Sequence, residues 1–257
     1  MNAWAAAFAA NDQVRTVRLP QNGIRPVGLA TLISNGLAKT KQLVHLDVQD
    51  NTMTSEGARA LAASLPEWRK LKELGVGDCL LGARGSEWVV KALARGENEM
   101  LEVLRLQYNE VRAKGVRDLA DALAKVPRLR RVELNGNQFD EEDDGLDDLR
   151  VGLEGRKEAA GDGAGADVED YWGLDDLDDL EEPDDEDEDE GDVDEDQKEE
   201  KEEDDVGKKE GEKDDVDLAD RIDKDLKATD EAEEQNVVQK QDKSVDDLAD
   251  KLGKTGI

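Results

Sequence analysis

Along residues 14–139 the apolar positions repeat one short template. An aliphatic residue is followed three positions later by a second, two later by a third, and three after that by an asparagine or a cysteine. The five copies are Val14, Val17, Leu19, Asn22; Leu43, Leu46, Val48, Asn51; Leu71, Leu74, Val76, Cys79; Leu101, Leu104, Leu106, Asn109; and Leu129, Val132, Leu134, Asn137. They start 29, 28, 30 and 28 residues apart. Alternation of period two predicts a short strand in each copy, with its fourth and sixth residues pointing inward. The pattern then changes to helical spacing, as in "ARALAASL" (Leu61, Leu65) and "VRDLADALAKV" (Val116, Leu119, Leu123, Val126). Pro66 and Pro127 mark the predicted helix exits.

A strand and a helix recurring every ~28 residues is the long form of the leucine-rich repeat. Five copies in register predict an α/β solenoid over residues 1–150. The recurring asparagine has a physical reason. The chain turns away after the strand, and the turning backbone would bury unpaired N–H and C=O groups. An Asn amide supplies both a donor and an acceptor to them. Asn22, Asn51, Cys79, Asn109 and Asn137 are therefore expected to form a structural ladder, with the small thiol of Cys79 filling the third slot. Gly28, Gly57, Gly85 and Gly115 each stand fifteenth in their repeats, where a glycine permits close approach or an unusual backbone angle. In the fifth repeat that slot is Asp143, and "DEEDDGLDDL" reads as the polar C-terminal end of the solenoid. A calcium loop is the weaker reading, because its twelfth position is Val151 rather than Glu. At the other end, "NAWAAAFAAND" predicts an amphipathic helix with Trp4 and Phe8 on one face, and the first strand would leave a sheet edge open.

Charge divides the chain. Residues 1–138 carry 20 Lys+Arg against 15 Asp+Glu, and residues 139–257 carry 15 against 52. The second half is too acidic and too poor in aromatic and β-branched residues to bury a core, so residues 151–257 are expected to be a disordered acidic tail. Three stretches in it are less uniform. They are "YWGLDDLDDLEEP", with Tyr171, Trp172, Leu174, Leu177 and Leu180, and the two "DLAD" segments at 217–220 and 247–250. Each is either solvated disorder or a short amphipathic helix laid on a partner. A polyacidic segment also attracts basic proteins.

Little in the sequence points to catalysis. There is no phosphate-cradling loop, no nucleophile elbow and no paired-cysteine zinc pattern. His45 is the only histidine and Cys79 the only cysteine. No cofactor or metal is expected, no apolar run approaches ~18 residues, and the acidic tail disfavours nucleic acid. Binding is left to polar residues beside the strands and to the two positions before each asparagine. The candidates are Arg18, Gln21, Asp47, Gln49, Asp50, Asp78, Arg105, Gln107 and Tyr108, with His45, Arg131 and Glu133 alongside. Arg25 and Arg84 are expected to join them from loops. Tyr108 is the strongest single candidate, as an exposed aromatic.

The phrases "LPQNGIRPVGL", "LDVQDNT", "ELGVGDCLLGARG", "LRLQYNEV" and "ELNGNQFDEEDD", in this order, go beyond the repeat consensus. Over about residues 3–150 the chain resembles the C-terminal half of the Ran GTPase-activating protein family, most closely its fungal form, which also ends in an acidic tail. The resemblance implies a crescent with a parallel sheet on its concave side. It implies binding to Ran in its GTP form, a role in nucleocytoplasmic transport and signal transduction, and a place in the cytoplasm, at the nuclear-envelope periphery or in the nucleus. Family members accelerate hydrolysis by ordering the GTPase's own glutamine, and nucleotide and magnesium belong to Ran. The family's catalytic asparagine and arginine lie in repeats upstream of the matched region, so this chain is expected to bind Ran only partially. Transport receptors and other Ran-binding proteins are further expected partners. A different class of reading is a non-activating scaffold whose tail binds basic proteins such as histones.

Overall fold

The computed structural model describes residues 1–161 and 172–181. Strands β1 (Thr16–Arg18), β2 (His45–Asp47), β3 (Glu73–Gly75), β4 (Val103–Arg105), β5 (Arg131–Glu133) and β6 (Gly173–Leu174) form one parallel sheet in chain order. The register follows the repeat: Val17 pairs with Leu46, Leu46 with Leu74, Leu74 with Leu104 and Leu104 with Val132. One helix follows each of the first five strands: α2 (Pro26–Thr31), α3 (Thr54–Ser64), α4 (Gly82–Ala94), α5 (Ala113–Ala122) and α6 (Asp144–Ala160). Helix α1 (Asn2–Ala9) precedes the first strand. The chain is thus a leucine-rich repeat solenoid of the α/β class.

Inward-pointing strand residues build the core. Leu46, Leu74, Leu104 and Val132 stack in one row and Val48, Val76, Leu106 and Leu134 in the next, all of them buried. Each such side chain contributes about 1.5–3 kcal/mol by leaving water, and each needs the next repeat to cover it. The repeat glycines serve close approach. Gly57, Gly85 and Gly115 all lie inside helices, and a Cβ on Gly85 would sit 3.0 Å from Ala58 Cβ.

Helix α1 forms where the sequence predicts one, with the Trp4 and Phe8 rings 6.2 Å apart on one face, and that face is turned outward. Ala5 is buried and Trp4 is 61% exposed, with Phe8 half-buried beside it. The reason is close packing: a Cβ on Gly36 would lie 2.8 Å from Ala5 Cα, an approach that only small residues allow.

The solenoid also continues past the boundary drawn at residue 150. Helix α6 runs to Ala160 and buries Leu146, Leu149 and Leu153. Asp143 is its N-cap, accepting from the Gly145 N–H at 2.8 Å, so the acidic "DEEDDG" run starts a helix rather than ending the fold. Among the described residues no cluster of side chains could hold a metal ion. Residues 172–181 are not a helix. Gly173 has φ +83, and β6 adds to β5. Like charges at Asp175, Asp176, Asp178 and Asp179 disfavour a helix, whereas the β5 edge offers N–H groups in need of acceptors. The disorder expected for the rest of the tail and the two "DLAD" segments lie outside the described residues.

Candidate functional site

The turn after each strand is held by side chains that reach back to the preceding repeat. Asn51 Nδ2 donates to Leu19 O at 2.8 Å and its Oδ1 accepts from Ile24 N at 2.9 Å. Asn109 Nδ2 donates to Val76 O at 2.8 Å, while its Oδ1 accepts from Cys79 N at 3.1 Å and Leu81 N at 3.2 Å. Asn137 repeats the arrangement on Leu106 O, Asn109 N and Val111 N. Cys79 Sγ takes the same slot, 3.3 Å from Val48 O. Burial pushes its thiol up to about 12, although a hydrogen bond from the Asn51 backbone pulls the other way. It is a structural thiol and a poor nucleophile. Asn22 departs from the series. It is exposed and among the described residues its amide bonds only to Pro20 O, at 2.8 Å, because β1 is the edge of the described sheet.

The residue before each ladder position adopts a left-handed backbone: Gln21 (φ 56), Asp50 (φ 54), Asp78 (φ 49), Tyr108 (φ 55) and Gly136 (φ 69). An L residue gives up about 1–2 kcal/mol there. The ladder bonds on either side hold it in place. Gln21, Asp50, Asp78 and Tyr108 therefore project from the same point of four successive repeats and form an exposed rim. Gly136 at the fifth point leaves room for Tyr108, because a Cβ there would stand 2.1 Å from the tyrosine ring.

The face of the sheet away from the helices is polar and internally paired. His45 Nδ1 lies 3.4 Å from Glu73 Oε2, Arg105 Nε 3.3 Å from Glu133 Oε2, and Arg131 Nε 3.6 Å from Glu133 Oε1. A depression of about 300 Å³ opens among Arg18, His45, Asp47, Gln49, Glu73 and Arg105. Gly75 and Gly77 leave a trough in the third repeat. Asp47 and Gln49 lean over Gly75 and Gln107 over Gly77, so that Gln107 Nε2 donates to Gln49 Oε1 at 2.9 Å across the intervening repeat. Gln49 Nε2 in turn donates to Asp47 Oδ1 at 3.0 Å. The clue to this bridge in the sequence is "GVG", which the strand pattern alone passes over.

Arg18, Asp47, Gln49, Arg105 and Gln107 thus share the open face, and Gln21, Asp50, Asp78 and Tyr108 share the rim. Arg25 sits in a loop as the N-cap of α2. Arg84 does not join them. It lies in the first turn of α4, with its guanidinium 5.3 Å from the centre of the Trp88 ring and Arg59 at 4.9 Å from the same ring. The helix starts at Gly82, earlier than the loop reading of "GARG" requires. Sequence reasoning also missed Lys72, Glu102 and Arg130, which stand second in successive repeats. Glu102 accepts from Lys72 Nζ at 2.8 Å and from Arg130 Nη2 at 2.9 Å. Burial alone would raise its carboxyl, but the two cations outweigh burial and hold it below the usual carboxylate range. Among the described residues no helix is long and apolar enough to cross a membrane.

Comparison with known proteins agrees with the repeats. A family model described as Leucine Rich repeat matches residues 42–62 and 97–120. Ran GTPase-activating protein 1 of Saccharomyces cerevisiae (strain ATCC 204508 / S288c) is 42% identical over 144 residues, which are 54% of this chain and 35% of the yeast protein. NACHT, LRR and PYD domains-containing protein 4C of Mus musculus is 34% identical over 93 residues, 35% of this chain and 9% of that protein. The match therefore spans about a third of the yeast relative's length. A crystal structure of a Bacteroides fragilis protein aligns with TM-score 0.41 and 15% identity over 66% of this chain and 42% of that one, too slight a likeness to bear on function.

Proposed function

We propose that this leucine-rich repeat chain, similar to a Ran GTPase-activating protein, regulates Ran without hydrolysing nucleotide itself. The observation that carries the reading is the 42% identity over 144 residues to the yeast activator. On this reading the chain acts in the cytoplasm, within nucleocytoplasmic transport, and contacts Ran in its GTP form. Nucleotide and magnesium are carried by Ran. The contact surface is the rim of Gln21, Asp50, Asp78 and Tyr108, with Arg18, Asp47, Gln49, Arg105 and Gln107 on the adjoining sheet face and Arg25 beside them. Tyr108, 46% exposed and held over Gly136, is the anchor.

Acceleration requires contacts that are stronger in the transition state than in the ground state. The residues matched here contribute binding, and full acceleration draws on residues beyond the matched third of the relative. The test uses the full chain and Ran loaded with either nucleotide. Binding is expected to favour the GTP form and to weaken in Tyr108→Ala and Asp50→Ala. Single-turnover hydrolysis with the chain in excess is expected to quicken little, against the about five orders of magnitude that complete activators supply. Absence of binding to either form overturns the Ran reading. Full acceleration overturns the division between binding and activation.

A further inference from the structure

The last repeat ends on an edge that is already occupied. Residues 172–181 lie along β5 and the turn after it, and several polar groups of that edge find a partner in them. Gly173 N donates to Arg130 O at 2.8 Å, Asp175 N to Val132 O at 3.3 Å and Glu181 N to Asn137 O at 2.9 Å. Arg131 Nη1 donates to Leu174 O at 2.6 Å, and the Arg130 guanidinium lies 5.7 Å from the centre of the Trp172 ring.

One contact has no counterpart earlier in the solenoid. In the preceding repeats the sixth residue of the template donates its backbone N–H to a strand carbonyl of the next repeat, as Val48 does to Gly75 O, Val76 to Arg105 O and Leu106 to Glu133 O. At the fifth repeat the acceptor is a side chain. The Asp175 carboxylate accepts from Leu134 N at 2.7 Å and from Asn135 N at 3.0 Å. Asn135 then reads the rest of the segment: its Oδ1 accepts from Asp179 N at 2.9 Å and its Nδ2 donates to Asp178 Oδ1 at 3.0 Å. The Tyr108 hydroxyl donates to Asp179 Oδ2 at 3.0 Å.

We propose that the edge from Arg130 to Gln138, together with Tyr108, is a binding site for an extended acidic peptide of the pattern Trp-Gly-Leu-Asp-x-x-Asp-Asp, which residues 172–181 of the same chain fill exchangeably. The mode is strand addition, with main-chain bonds giving affinity and the spaced carboxylates giving selectivity. The positive φ of Gly173 admits the Trp-Gly step, Asp175 answers two converging N–H groups, and Asp178–Asp179 answer Asn135 and Tyr108. Few apolar groups are enclosed. Leu174, Leu177 and Leu180 remain half-buried. A weakly held segment stays bound in cis because a short connection keeps its local concentration on the order of mM. Because Tyr108 is also part of the rim, the peptide and any rim ligand compete for one side chain. The proposal does not depend on the identity of that ligand.

The test is made on the full chain with Asp175→Pro, which removes both the carboxylate and the N–H that donates to Val132. Amide hydrogen exchange is followed at Leu134 and Asn135. In the wild-type chain both amides are expected to be protected. In the variant, protection is expected to fall about ten- to a hundredfold, the worth of a charge-assisted hydrogen bond. A synthetic peptide of residues 172–181, added to several mM, is expected to restore protection in the variant and to change nothing in wild type. Unchanged protection in the variant without peptide overturns the proposal, as does failure of the peptide to restore it. A scrambled peptide of equal charge that restores protection equally well overturns the selectivity. Leu106, whose acceptor Glu133 O lies within the solenoid, reports on folding. If it loses protection as well, the milder Asp175→Ala is measured, and the same outcomes decide.

Discussion

Replacing Asn109 by Leu removes an amide and leaves a side chain of similar bulk. The structure assigns the cost. Leu106 O and Gln107 O keep other donors, Asn137 Nδ2 and Asp78 N. Cys79 N, Leu81 N and Val76 O lose the partner they have in Asn109, and all three are buried with it. A buried polar group left unpaired costs about 1–3 kcal/mol, so three such groups cost about 3–6 kcal/mol once some relaxation is allowed. Leucine, unlike alanine, leaves no space for a rescuing water. For a chain of this size the urea dependence is about 2 kcal/mol per molar, so the midpoint should fall by roughly 1.5–3 M. Circular dichroism and tryptophan fluorescence both follow the transition, since Trp68 is buried and bonded to Leu37 O. The internal control is Asn22→Leu. That residue is exposed with one local bond, and its loss should stay within about 0.5 kcal/mol. An Asn109→Leu chain within about 1 kcal/mol of wild type, or an equal loss at Asn22, would refute the ladder as the stabilising device.

Gly136→Ala places a Cβ at φ +69 and into the Tyr108 ring, and should cost about 1–2 kcal/mol of backbone strain while displacing the tyrosine. Thermal melts and Tyr108 exchange with Asp179 by NMR read the two effects separately. The hydrogen bond to Asp179, then its charge, raises the Tyr108 hydroxyl above the ordinary phenol value. A raised group contributes below its unfolded pKa and loses that contribution as pH rises through the folded one, so Asp179→Asn should lower the ultraviolet titration midpoint of Tyr108. The Glu102 carboxyl is held below the ordinary value of about 4.3. Its contribution is present above that value and lost as pH falls through the lowered one. Lys72→Met should therefore cost stability at neutral pH, and the difference should vanish in acid. The Cys79 thiol should resist alkylation in the folded chain and react at the rate of unfolding when urea is added.

The repeat frame was legible because its cause is local. Period-two apolar residues followed by an amide leave one solution for a buried turn, and the strand register reproduces the sequence intervals without a shift. What escaped the reading depends on contacts between repeats that no single repeat encodes. Whether Trp4 or Ala5 faces inward is decided by Gly36, more than 30 residues away. The Gln107–Gln49 bridge requires two glycines in the repeat between its ends. The segment at 172–181 looks helical by spacing because Leu174, Leu177 and Leu180 are three apart. The edge of β5 overrides that spacing by offering N–H groups to Asp175. The loop placement of Arg84 fails for a simpler reason, since Gly82 at φ +71 lets α4 begin before it.

These contacts also separate the internally paired sheet face from the proposed recognition rim. On the open sheet face, Glu73, Arg105, Glu133 and Arg131 form one chain of opposite charges, with His45 Nδ1 3.4 Å from Glu73 Oε2. A ligand that engaged one of them would first have to break an internal pair, and truncating or diverting one member leaves its partner uncompensated. Such a row sets register and disfavours wrong partners more than it adds affinity. The rim differs in kind. Gln21, Asp50, Asp78 and Tyr108 are fixed by a left-handed backbone and by ladder bonds beneath them, so their side chains are presented without a large further loss of chain entropy. On the proposed reading, selectivity belongs to the rim and orientation to the sheet face. Tyr108, bonded to Asp179, is the point where the acidic segment and the rim meet.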